Sequence, residues 1–158
     1  MPKTKLQEFI FTILMVLAMV YTMICYNIAL NIGGMGNKVF LAAFHELVFM
    51  GPIAFVLDFF IVAHIATKKA FAIVDMEKNH PFMLVLAISS ISVAFMCPLM
   101  SLVATILFKN AGSQIVAVWL QTTAFNFPMA FFAQIFFVGP FVRFIFSKII
   151  KVGVFSAE

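Results

Sequence analysis

The stretch AFHELVFMGPIAFVLDFF, residues 43–60, is apolar enough for the middle of a membrane-spanning helix, yet it holds His45, Glu46, Pro52 and Asp58. A charge at the centre of a bilayer costs about 2.5–3.5 kcal/mol or more, so such side chains usually face a bundle interior or a cavity. Whatever places them there decides both the fold and the candidate site.

The surroundings extend the same pattern. A span needs about 20 mostly apolar residues, and four runs qualify: residues 8–30, 39–66, 82–108 and 115–146. Lipid offers no partner to open backbone groups, so these runs are helices. The composition agrees. Hydrophobic residues make up 65% of the chain and charged residues 10%, against roughly 45–50% and 25% for a soluble domain. The first run is longer than the apolar segment of a signal peptide and lacks its small-residue cleavage pattern, so a retained span is expected.

The net charge of +4 does not point to nucleic acid. The Lys and Arg residues flank apolar runs rather than forming one patch, and the lipid bilayer with its anionic headgroups is the expected partner. Cys25 and Cys97 lie in separate apolar runs without metal-ligand spacing. No disulfide, metal or cofactor is expected.

Two short turn sequences, NIGGMGNK (31–38) and KNAGSQ (109–114), join the runs into helical hairpins, with the polar segment TKKAFAIVDMEKNHP (67–81) between them. The expected division is a first hairpin over 1–74, a cytoplasmic linker over 75–80 and a second hairpin over 81–158. Lys3, Lys5, Lys68, Lys69, Lys78, Arg143, Lys148 and Lys151 fall on one side, and only Lys38 and Lys109 on the other. By the positive-inside rule both ends of the chain are expected in the cytoplasm, in a multi-pass protein of the bacterial inner membrane.

Shifting the chain by 76 residues lays Pro128 on Pro52 and Gly112 on Gly36 without gaps. GPIAFVLDFFIVA then answers FPMAFFAQIFFVG. Each unit has two spans, so both enter the membrane from the same side. The expected fold is therefore all-α: a four-helix bundle of two tandem hairpins related by a pseudo-two-fold axis along the membrane normal. The same shift pairs Asp58 with Gln134, His45 with Gln121 and Glu46 with Thr122.

A hairpin with FHE, a mid-span proline and LDFF, followed by a second copy with WLQT, NFP and FFVGP, resembles a family of bacterial membrane proteins built from tandem two-helix repeats, known as domain of unknown function 2798. The resemblance covers nearly the whole chain and implies the repeat and the membrane location, with no activity attached. The paired-hairpin layout is also similar to that of the small proteobacterial efflux proteins. Their membrane acid lies in the first span, where this chain has only Glu8, at its edge.

The candidate binding residues are Asp58, Glu46, His45, Gln134, Gln121 and Asn126, with Pro52, Pro98 and Pro128 as candidate kinks. Asp58 reads in two ways: a proton- or cation-binding carboxylate, or a neutral group hydrogen-bonded to Gln134 that fastens the hairpins together. Glu46 and Asp58 lie about 18 Å apart along a helix and about 120° apart around it, so they are not a paired acid and base. His45 diverges from Glu46 by about 100°, without the i,i+4 spacing of a metal site. Asn126 stands two residues before Pro128, where it is expected to satisfy a carbonyl freed by the proline. Trp119 reads as an anchor at the outer interface.

No phosphate loop, nucleophile elbow, HExxH or CxxC is present, and no enzyme is expected. Two functions remain open. One is a small proton- or cation-coupled transporter acting as a homodimer. The other is a non-catalytic accessory or scaffold subunit whose polar seam only specifies packing.

Overall fold

The computed structural model describes residues 5–73, 81–110 and 112–151. Every element among the described residues is helical. Helix α1 (Lys5–Ile32) ends where Gly33 takes a φ of +86°, and the N–H groups of Gly33 and Gly34 both donate to the Ala29 carbonyl at 2.9 Å. Glycine reaches this left-handed conformation without a Cβ clash, which stops the helix and starts the hairpin turn. Helix α2 (Asn37–Leu57) continues through a π-helical turn (Asp58–Val62) into α3 (Ala63–Ile73). After the linker come α4 (Pro81–Phe108), a short 3-10 turn (Gly112–Gln114), α5 (Ile115–Phe132), a second π-helical turn (Ala133–Val138) and α6 (Gly139–Lys151).

Four stretches are long and apolar enough to cross a membrane: Phe9–Ile32, Asn37–Ile73, Leu86–Phe108 and Gly112–Ile149. The second runs further than the sequence reading placed it. Residues 67–73, read as part of a polar connection, are helical. They contain no Gly or Pro and three good helix formers in a row, Lys68, Lys69 and Ala70. The linker expected over 75–80 lies outside the described residues.

Pro52, Pro98 and Pro128 all sit inside helices, and the helix runs on through each of them. Each lacks the N–H that would reach the carbonyl four residues earlier, on Val48, Ala94 and Ala124 respectively. The departure from α geometry comes more than a turn after Pro52 and Pro128, at the two π turns. Residues 58–62 and 134–138 of these turns are 76 positions apart (134 − 58).

The π turns have a packing cause. Thr122, Asn126, Ala130, Gln134, Val138, Val142 and Phe146 are all buried, at an unbroken spacing of four. In the first half, Met50, Ala54, Val62, Ala66 and Ala70 are buried on the same spacing, with Asp58 in the gap. Six steps of four residues drift about 240° around an α-helix of 3.6 residues per turn. One extra residue in a wider turn takes back about 100° of that drift. The π turn thus keeps a four-residue stripe facing its neighbours over a far greater length than an α-helix allows.

Within each hairpin α1 packs on α2 and α4 on α5; between them α3 lies against α4, and α6 with the second π turn lies against α1. Val16, Val20 and Ile24 of α1 meet Ala43, Met50 and Ala54 of α2 in the main apolar cluster. Phe11 and Phe146 meet edge to face at 5.1 Å, joining the first helix to the last. Trp119 does not simply anchor an interface: its indole N–H donates to the Pro98 carbonyl at 2.9 Å, tying α5 to α4. Many outward-facing residues are large and apolar. Phe60 is 69% exposed and Phe137 62% exposed, an arrangement suited to lipid and not to water.

Candidate functional site

Between the helices lies a cavity of about 1140 Å³. Its lining on α1 runs from Gln7 to Asn31, about 36 Å at 1.5 Å per residue. The interior space is therefore long. Asp58 enters it from the first π turn and Gln134 from the second. Glu46 lines it from α2, Asn126 from α5 and Arg143 from α6.

Glu46 and Asp58 thus share one cavity although they point in different directions around their helix. The cavity is long enough to meet both. His45 and Gln121 do not join them. His45 is exposed, its ring 5.9 Å from that of Phe49. Gln121 is exposed and borders a second, smaller cavity of about 270 Å³, not the first. His45 is offset one residue from the buried stripe, and Gln121 likewise precedes Thr122, so both turn outward.

The hydrogen bond between Gln134 and Asp58 that one of the two readings of Asp58 requires is not formed. Gln134 is buried and its Nε2 lies 3.5 Å from the Met15 sulfur, a weak acceptor. Among the described residues Asp58 has neither a hydrogen bond nor an ion pair, and Arg143 has none either. Asn126 also departs from expectation. Its Nδ2 donates to Ser101 Oγ at 3.3 Å, across to α4, while its Oδ1 is buried without a partner. The side chain therefore does not repair the break at Pro128, because it points along the stripe toward the neighbouring helix.

Near the Asn126 end, the Lys109 ammonium donates to Thr122 Oγ1 at 2.8 Å, and that hydroxyl donates to the Val118 carbonyl at 2.7 Å. Lys109 borders both cavities. Among the described residues no group of three His, Cys, Asp or Glu side chains could hold a metal ion. The site offers a carboxylate and a guanidinium, neither paired among the described residues, on the wall of a mostly apolar cavity that also carries amides and hydroxyls.

Sequence reasoning missed Arg143 and Lys109, which counted only as markers of orientation. It also missed six methionines on the lining: Met15, Met19, Met23, Met50, Met96 and Met100. The four-residue spacing of Met15, Met19 and Met23 was the available signal, the same spacing that marks the buried stripes.

The comparisons with known proteins agree with this organisation. A family model described as a domain of unknown function (DUF2798) matches the chain over residues 4–74 and again over 82–150. The chain is 31% identical over 155 residues to the uncharacterized protein YybC of Bacillus subtilis (strain 168), covering 96% of each sequence. No solved structure matches it. With the family model covering both halves, and a full-length relative at this identity, the chain belongs to the DUF2798 family.

Proposed function

We propose that the protein is a small proton- or cation-coupled transporter whose path is the central cavity. The observation that carries this reading is Asp58: a carboxylate within an apolar span, on the wall of a cavity about 1140 Å³ in volume, with no partner among the described residues. A carboxylate that only fastened helices would be hydrogen-bonded, since an unpaired polar group in such a place is costly. A carboxylate that exchanges protons or cations has to be reachable and unpaired in at least one state.

The proposal includes a four-helix bundle of two tandem hairpins about a pseudo-two-fold axis along the membrane normal. The 76-residue spacing of the π turns, the shared four-residue stripes and the two successive matches of the family model support it. It places the chain in the bacterial inner membrane with both ends in the cytoplasm, on the charge asymmetry of its connections. The working unit is a homodimer, in which the exposed phenylalanines supply a contact surface between copies.

The test is conformational. Spin labels at Lys38→Cys and Lys109→Cys, one in each outer turn, report the distance between hairpins. Transport requires that distance to change between pH 5.5 and pH 8, and the change to disappear in Asp58→Asn. A distance unmoved by pH, with a stable partner protein co-purifying from native membrane, overturns the transporter in favour of a scaffold subunit.

A further inference from the structure

The cavity's shape limits what it can hold. Its volume of about 1140 Å³ is lined along about 36 Å of α1. That length suits an extended ligand with a long apolar part. The middle of this passage is lined by Met15, Met19, Met23, Met50, Met96 and Met100. Unbranched thioethers make a soft, adaptable apolar wall.

The charges on the wall are Asp58, Glu46, Arg143 and Lys109. Lys109 is engaged by Thr122, at the Asn126 end that also carries Glu46. Glu46, Asp58 and Arg143 have no partner among the described residues; Asp58 and Arg143, opposite in sign and not paired with each other, lie away from the Glu46 end. Arg143 folds back along its helix: its Nη2 lies 3.9 Å from the point a Cβ on Gly139 would occupy. Helical side chains lean toward the N-terminus in this way. Here the lean carries the guanidinium toward the turn that holds Gln134. A purely cationic ligand leaves Arg143 unmatched, and a purely anionic one leaves Asp58 unmatched. Uncompensated charge in a low-dielectric site is strongly unfavourable.

We propose that the cavity binds one zwitterionic amphiphile, its ammonium group at Asp58, its phosphate or carboxylate at Arg143, and its apolar tail along the methionine wall. This deepens the transporter reading by naming the class of cargo, and it rests on that reading only for movement. Binding at equilibrium and the pH-driven distance change can fail separately.

Native mass spectrometry of the full chain in a maltoside detergent tests it, with lysophosphatidylethanolamine as the probe. Lysophosphatidylglycerol, which lacks the ammonium, and hexadecylamine, which lacks the acid, are the comparisons. The expected result is one lysophosphatidylethanolamine per chain, held at least tenfold more tightly than either comparison. Asp58→Asn and Arg143→Gln should each reduce it to the level of the single-charge amphiphiles. Met19→Trp, which fills the passage away from the charges, should abolish binding while the protein remains monodisperse on gel filtration. If a charge variant fails to fold, the three-ligand comparison on the unaltered protein decides. Equal binding of lysophosphatidylglycerol, or indifference of the probe to Met19→Trp, marks annular lipid and overturns the proposal. Preferential binding of hexadecylamine, strengthened by Arg143→Gln, overturns it in favour of an apolar cation.

Discussion

A Cβ on Gly139 would stand 2.5 Å from the carbonyl oxygen of Gln134. That carbonyl accepts the Gly139 N–H and closes the second π turn. Ala63, 76 positions earlier, already carries a Cβ after the first turn, where its N–H donates to the Asp58 carbonyl. The tight approach therefore belongs to the second half.

Gly139→Ala should accordingly be destabilising, by about 1–3 kcal/mol, the range for overpacking a filled site. Thermal unfolding in detergent checks this. A midpoint unchanged from the parent would show that the backbone relaxes freely at this turn.

Asn126 and Ser101 should couple weakly. Their hydrogen bond is long at 3.3 Å, and the Asn126 Oδ1 gains nothing from it. A double-mutant cycle of Asn126→Ala and Ser101→Ala should give a coupling of about 0.6 kcal/mol, typical of interhelical bonds in membranes. A value above about 2 kcal/mol would require a network that this geometry does not contain.

The Trp119 bond to Pro98 is shorter and better placed. Trp119→Phe keeps the aromatic volume and removes the donor, and should lower stability by about 1 kcal/mol. Trp119→Leu loses both and should lower it further. Equal unfolding midpoints for Trp119→Phe and the parent would show that the bond adds nothing.

Orientation can be read with thiol chemistry. The native thiols, Cys25 and Cys97, are buried. In intact cells a membrane-impermeant maleimide should label Lys38→Cys and leave Lys148→Cys unlabelled until the membrane is opened. The reverse pattern would invert the proposed topology.

Much of this arrangement is legible in the sequence, and the illegible part has a common cause. Four runs of apolar residues announce their helices because lipid permits little else. Asp58 stands out because carboxylates are costly in such runs. The π turns, however, leave no composition signal. They are visible only as a phase error, four-residue burial where 3.6 is expected, and the polar stripe around Gln134 is too short to show it unaided. The Asp58–Gln134 bond failed for a related reason. Equivalent positions in two copies say that residues occupy similar places on their own helices, not that their side chains meet. Arg143 was overlooked because a basic residue near a helix end satisfies the orientation rule, and its lean back into the protein depends on rotamer and packing.

The extra residue in each π turn also has a mechanical consequence. Displacing the wide turn along the helix requires only that neighbouring carbonyls trade donors. When it shifts by one turn, the side chains between its old and new positions rotate by about 100°. Everything beyond, in both directions, stays where it was. Such a displacement would change which groups the helix shows to the interior, Asp58 among them, without tilting or sliding the rod.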